Sequence, residues 1–408
     1  METIPRSLPI LLDGATGTEL YRRGMPQGVS AEAWVLEHPD ALLELQRSYL
    51  DAGTQVLLTP TFGANRAAMA RHGLEGQVED YNRRLTALSR QAAQGRALVA
   101  GDMAPTGLTL APFGKSTFEE LVEIYTQQAA ALEDAGVDLF YIETMLSMAE
   151  ARAAVLACKS VSQKPVWVSF TCDGNGRTPA GSDVLAGLIV MQGMGVSAFG
   201  LNCCEGPAGL LEQLRRMTPY AQVPLIAKPS AGLPGQHPCS PKELASYVSA
   251  YAYAGVRLFG GCCGAGAEHI AALKRALGQV SFSSFRAPEQ DPDVIPCASE
   301  REARFITPDI DVGETIECTP DLMEDILEAE ENSPQGALKI AVLEEDDLDI
   351  LAENQYVVKD ALCIFSDVPE LLERALRLYQ GRAFWDGTGE LEEAFLEEMK
   401  QKYGLILL

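Results

Sequence analysis

A chain of 408 residues with 47% apolar side chains can bury a full core, and its length suits one barrel-sized domain of roughly 250 residues plus a smaller unit. The formal charge of −25 is unevenly placed: residues 1–286 carry 26 acids and 23 bases, a net of −3, while residues 287–408 carry 31 acids and 9 bases, a net of −22. So acidic a tail repels phosphate backbones and anionic lipid, which argues against nucleic acid and membrane surfaces as partners and leaves a basic partner or plain solubility.

The opening "METIPRSLPILLDG" has a short apolar run halted by Asp13 and does not read as a signal peptide. Ten cysteines without an export signal suit a reducing cytoplasm, where clustered thiols bind metal or do chemistry more often than they form disulfides. Apolar runs of strand length then recur with amphipathic stretches between them: "PILLDG" (9–14), "QVLLTPTF" (55–62), "ALVAGDM" (97–103), "DLFYIETM" (138–145), "PVWVSFT" (165–171), "AFGLNCC" (198–204), "PLIAKPS" (224–230) and "RLFGGCCG" (257–264). Helix starts are signalled by Asp40, by the Ser/Thr-x-x-Glu pattern of "KSTFEE" and by Ser240 before Pro241, and three helices end in "AG", where glycine supplies a left-handed cap. The uncharged stretch from Val184 to Cys204 is long enough for a membrane span, but "GMGVS" breaks it into a helix-like and a strand-like half. Eight strand–helix units in about 280 residues predict an α/β fold, a closed parallel (β/α)8 TIM barrel. A doubly wound open sheet would carry a phosphate-binding glycine fingerprint after its first strand, and there is none.

From residue 286 the character changes. "RAPEQDPDVIPCASERE" reads as a linker over 286–310, and 311–408 as a small acidic α/β domain. Its opening has few strand signals; "ALKIAVL", "ALCIFSD", "RAFWDG" and "GLILL" then alternate with helices, about half a barrel's worth of strands.

Sites in such barrels lie at the carboxyl ends of the strands. Here those ends carry Asp13, Thr61, Asp102, Glu143, Thr171, Asn202 with Cys203, Lys228 with Ser230, and Cys262 with Cys263. Cys203 ends the sixth strand and the Cys262–Cys263 pair the eighth, and alternate strands feed common layers, so the three thiols can meet across the mouth. Three thiolates suit Zn²⁺ with a fourth position open. Small buried cysteines, or a strained vicinal disulfide, are the plainer readings of one "CC" alone. Cys204 is expected to face elsewhere. Asp13 and Glu143 sit in apolar strands, where a carboxylate needs a cation or hydrogen bonds; the α-ammonium of an amino acid would serve, with backbone amides and Thr61 for its carboxylate. The four histidines, His38, His72, His237 and His269, fall in loops or helices and support neither a histidine metal site nor a Ser-His triad.

The ordered motifs "LLDGATGTEL", "TPTFGANR", "AGDMAPTGL", "YIETM", "FGLNCC", "AKPSAGLP" and "GGCCG" resemble the homocysteine S-methyltransferase family, most closely the homocysteine-binding barrel of cobalamin-dependent methionine synthases, over residues 1 to about 280. The resemblance implies Zn²⁺ on Cys203, Cys262 and Cys263, with the homocysteine sulfur as fourth ligand and its amino-acid end near Asp13, Gly14, Thr61, Glu143 and Asn202. It implies transfer of a methyl group to homocysteine to form methionine, with a methylated corrinoid protein as donor in trans or, second to it, a small sulfonium or ammonium such as S-methylmethionine or betaine, and a homodimer stays open. The other expectation is a barrel subunit of a corrinoid methyltransferase complex that acts on another thiol or serves mainly in partner binding. Two departures stand out. Ser230 replaces the asparagine of the usual "KPNAG", which makes Ser230 the candidate resting fourth ligand, and the tail resembles part of a pterin-binding barrel, with Asp386 in place of an asparagine, in too few residues to complete one.

Overall fold

The computed structural model describes residues 8–204, 206–232, 238–332 and 336–408; His237 lies outside them. Eight strands form one parallel sheet: β1 (Ile10–Leu11), β2 (Val56–Leu58), β3 (Leu98–Met103), β4 (Leu139–Met145), β5 (Val166–Phe170), β6 (Ala198–Asn202), β7 (Leu225–Lys228) and β8 (Val256–Phe259). Their order is β1-β8-β7-β6-β5-β4-β3-β2. The ring closes where Leu12 bridges Val56 in parallel and the Gln55 N–H donates to the Leu11 carbonyl at 2.7 Å. The expected barrel is therefore present.

Its interior is filled by side chains of one parity, among them Ile10, Val56, Ala100, Tyr141, Trp167, Ala198, Ile226 and Leu258, so the centre is packed rather than open. The local signals hold in detail. Thr117 accepts the Glu120 N–H at 3.1 Å to start the helix Phe118–Asp134, and Ser240 forms a capping box with Glu243. Gly53, Gly136 and Gly255 follow three helices with φ of 105°, 79° and 83°. Asp40 is not a cap: His38 takes that position, Pro39 opens the helix, and Asp40 sits in the first turn, where its charge still favours the helix N-terminus.

The uncharged stretch resolves into the helix Val184–Gly193 and β6. No helix among the described residues is long and apolar enough to cross a membrane. Val184 to Met191 are all buried, because the last third of the chain covers the outer face of this helix. The Cα of Gly404 stands so near Gly193 that a Cβ there would meet the Gly193 carbonyl carbon at 2.8 Å.

The stretch expected as a linker is partly built structure. β9 (Ile295–Ala298) and β10 (Ala303–Ile306) form an antiparallel hairpin. Asp183 donates its N–H to the Arg301 carbonyl at 2.9 Å, and Arg177 reaches Glu302 at 2.7 Å, so the hairpin is fastened to the barrel. Its prolines and charges mask a short run in which Cys297 and Ile306 are buried. A five-stranded parallel sheet follows: β11 (Thr315–Glu317), β12 (Ala337–Ala341), β13 (Ala361–Phe365), β14 (Phe384–Trp385) and β15 (Ile406–Leu407), paired in chain order. The sequence signals only the last four. β11 is an edge strand with Thr315 and Glu317 exposed, so it carries no apolar alternation to announce it.

A buried arginine joins the two parts. Arg152, on the helix Met148–Val161, donates to the carbonyls of Leu376 at 2.9 Å and Arg377 at 3.1 Å and to Gln380 Oε1 at 3.2 Å. Arg377 in turn pairs with Glu119 at 2.6 Å.

Candidate metal centre

Strand parity builds the rim. In β3 to β7 the inward positions run Ala100 to Asp102, Tyr141 to Glu143, Trp167 to Ser169, Ala198 to Asn202 and Ile226 to Lys228, so the apolar interior gives way to polar side chains at the carboxyl end. One parity thus supplies both the core and the site.

The thiols converge as the spacing predicts. The sulfurs of Cys203, Cys262 and Cys263 all lie within 4.8 Å of one another, each half-buried. Cys203 and Cys263 stand 3.5 Å apart. Cys203 sits just past β6 with φ of 56°, a left-handed conformation rare for a side chain other than glycine, and its N–H donates to the Lys228 carbonyl at 3.2 Å. The Cys262 N–H donates to Pro229 O at 3.0 Å, and Cys263 O accepts from Ala231 at 2.8 Å. The glycines before them act by size. A Cβ on Gly260 would meet Leu12 Cβ at 2.9 Å and Lys228 Cγ at 3.0 Å, and one on Gly261 would meet Ala265 Cβ at 2.3 Å, so only glycine lets the end of β8 lie this close to β1 and β7.

Hydrogen bonds from Cys262 and Cys263 hold the Cys203 thiol well below the usual range, while the same bonds push Cys262 and Cys263 up. Three sulfurs around one point cannot all be anionic without a cation among them. The donor set therefore fits a thiophilic cation such as Zn²⁺, and Ser230 Oγ lies 3.7 Å from Cys203 Sγ at its margin.

Beside the thiols is a buried charge cluster. Lys228 Nζ is 3.0 Å from Glu143 Oε2 and 3.9 Å from Asp13 Oδ1, and lies 5.1 Å from the centre of the Tyr141 ring. Asp13 Oδ2 accepts the Leu58 N–H at 2.8 Å. Asp13 Oδ1 and Asp102 Oδ1 are buried with no hydrogen-bond partner. Burial raises Asp13 to about 7 against the pull of Lys228; burial and Glu143 raise Asp102, and burial raises Glu143. Three acids share one ammonium. The cluster is short of positive charge and of hydrogen-bond donors, and that is the chemistry an incoming ammonium supplies.

Other predicted residues are placed differently. Asn202 is fully buried, and its amide is spent within the protein: Oδ1 accepts from the Thr144 N–H at 2.9 Å and Ser169 Oγ at 2.8 Å, and Nδ2 donates to Thr144 Oγ1 at 2.7 Å and lies 3.7 Å from Cys262 Sγ. It ties β4, β5 and β8 together. The Thr61 hydroxyl donates to the Asp102 carbonyl at 2.7 Å. Gly14 is packed where a Cβ would fall 2.2 Å from the Ala265 carbonyl oxygen. Lys228 and Asp102 were legible as rim residues but not as members of the site; the signal was a lysine inside the otherwise apolar "PLIAK".

The fold and this rim define a (β/α)8 barrel with three converging cysteine sulfurs at its carboxyl mouth. Residues 10–277 match the family model for homocysteine S-methyltransferase, and the chain belongs to that family of methyltransferase enzymes. It is 30% identical over 311 residues to methionine synthase of Mycobacterium leprae (strain TN), covering 70% of this chain and 26% of that protein. It is 31% identical over 301 residues to methionine synthase of Mycobacterium tuberculosis (strain ATCC 25618 / H37Rv), covering 66% and 25%. The chain thus spans about a quarter of the length of these curated relatives. Among solved structures it is similar to the homocysteine methyltransferase MmuM from Escherichia coli in its oxidised form (TM-score 0.58, 29% identity, 65% of this chain and 95% of that one) and its metallated form (TM-score 0.59, 29% identity, 66% and 96%).

Proposed function

We propose that the chain transfers a methyl group to the thiol of homocysteine, forming methionine, with Zn²⁺ held by Cys203, Cys262 and Cys263. The observation that carries this reading is the meeting of three strand-end sulfurs within 4.8 Å beside a buried cluster short of one cation. The metallated form of MmuM supports a metal in this family's barrel. Bound there, Zn²⁺ supplies the charge that keeps a substrate thiol deprotonated near neutral pH and hence nucleophilic.

This chain's own residues do the rest. Asp13 and Glu143 take the substrate ammonium, and Lys228 holds Glu143 in place until it arrives. Main-chain groups at Gly14 and Thr61 face the substrate carboxylate. Asn202 acts by position, fixing Glu143 and Cys262 relative to each other, and Ser230 stands beside Cys203 as the resting neighbour of the metal. The donor is a methylated corrinoid protein acting in trans, supported by the identity to methionine synthases and the "GDMAPTG" segment. Residues 1–285 form the catalytic barrel and 311–408 an accessory domain, and a reducing cytoplasm is the compartment that suits ten unpaired cysteines.

Metal counting combined with homocysteine-dependent demethylation of methylcobalamin tests the proposal. About one zinc per chain is expected, lost together with turnover in Cys262→Ser. Turnover that survives in Cys262→Ser with no zinc in the parent protein would sink it.

A further inference from the structure

Behind the three rim thiols lies a second pair. Cys172, two residues past β5, and Cys204, two past β6, bring their sulfurs to 3.5 Å. Both are buried, with Cys172 the more exposed at 7% against 3%. Neither belongs to the trio able to hold a metal. The sequence set Cys204 aside as facing elsewhere; it faces Cys172.

We propose that Cys172 and Cys204 form a dithiol–disulfide modification site, closed by a peroxide, that displaces Cys203 and slows the adjoining centre. Disulfide sulfurs stand about 2.05 Å apart, so closing the bond draws these two together by roughly 1.5 Å. That movement reaches the centre directly. Cys204 follows Cys203 in the chain, and Cys203 owes its aim to a left-handed backbone and to the hydrogen bond from its N–H to Lys228 O. On the other side, Thr171 Oγ1, next to Cys172, donates to the Cys203 carbonyl at 3.2 Å. Both arms of the new bond therefore pull on the peptide that positions one rim sulfur. Being outside the trio, the pair keeps its thiols when the trio is engaged.

The chemistry balances with a peroxide as the oxidant. The Cys172 sulfur attacks one peroxide oxygen, the O–O bond breaks, a sulfenic acid forms, and one water leaves with the thiol proton. The Cys204 sulfur then attacks Cys172, the S–S bond forms, the S–O bond breaks, and a second water carries off the Cys204 proton. Two thiols are oxidised and one peroxide is reduced, and a dithiol reductant reverses the change. The linkage stands on geometry alone, whereas its effect on the centre rests on the proposed role of Cys203.

The test uses the full-length protein loaded with zinc. Metal is counted first, a few equivalents of hydrogen peroxide are added, free thiols are alkylated, and linked peptides are mapped by mass spectrometry. The expected result is a Cys172–Cys204 linkage reversible by dithiothreitol, with a roughly tenfold fall in methyl transfer that Cys172→Ser escapes. A linkage within the trio while Cys172 and Cys204 alkylate as free thiols overturns the proposal, as does equal peroxide sensitivity in Cys172→Ser. The first metal count tests the zinc reading separately, and a Cys172–Cys204 linkage in zinc-free protein upholds the modification site while removing the centre. Mapping on the unsubstituted protein needs no variant to fold.

Discussion

Lys228 is the hinge of the site's electrostatics. It is buried at the end of β7, and despite the burial that opposes it, Glu143, Tyr141 and Asp13 raise its pKa well above the usual lysine range, so it stays charged. Replacing it by methionine leaves three acids facing one another without a cation. Lys228→Met is therefore expected to cost about 3–5 kcal/mol in urea unfolding, and adding Glu143→Gln to recover part of that loss. Asp13 carries a second prediction. With its pKa raised from 3.8 to about 7, the folded protein keeps a proton that the unfolded chain has released between these values. Bound protons are then more numerous in the folded state, so this group's contribution to stability falls as pH rises from about 4 to about 7. Asp13→Asn should flatten that slope, measured as urea midpoints at several pH values, and an unchanged slope refutes the assignment. The roles of Asp13 and Glu143 as cation-seeking acids were readable from their apolar strands. That one internal lysine already serves both was not, because Lys228 is 85 residues from Glu143 and farther still from Asp13 in the chain, and the three meet only on folding.

The strand end is where local sequence and tertiary contact meet. The Cys262–Cys263 pair was legible as the end of the eighth strand, yet its place in the strand is only part of the reason the two thiols reach the rim. Gly260 and Gly261 are not in the left-handed region; they are glycines because β1, β7 and Ala265 occupy the space of a side chain. Gly261→Ala is expected to cost about 1–3 kcal/mol, the usual range for overpacking, and to lower zinc stoichiometry, read by thermal unfolding and metal counting. Alanine tolerated with full zinc would show that the rim is looser than these distances imply. β11 and the hairpin of β9 and β10 escaped the sequence for the converse reason. They are held by ladder hydrogen bonds to neighbours, and ladder bonds leave no mark on side-chain pattern.

The two parts of the molecule are coupled through buried contacts. From Val184 to Met191 the helix Val184–Gly193 is apolar and buried on every face, which for a barrel helix demands cover on its outer face as well. The hairpin and the C-terminal segment supply it. A chain ending at residue 286 is thus expected to expose this face and aggregate, seen as high-molecular-mass material in size exclusion. Arg152→Ala should leave three acceptors of the C-terminal part unpaired and bring a separate, earlier unfolding transition for that part in calorimetry, while a single unshifted transition would deny the coupling.

By itself the sequence determined the barrel, through eight apolar runs with capped helices between them, and it determined which residues reach the rim, because strand parity and strand ends are local properties. It also determined that three thiols could meet at the mouth, since cysteines at matching strand ends lie on one rim. The tertiary structure alone decided how the charges balance around Lys228, that Asn202 braces the site from within, that Cys204 faces Cys172, and that the acidic tail completes the barrel's outer face. Each of these depends on distances between segments far apart in the chain, and such distances exist only once the ring has closed.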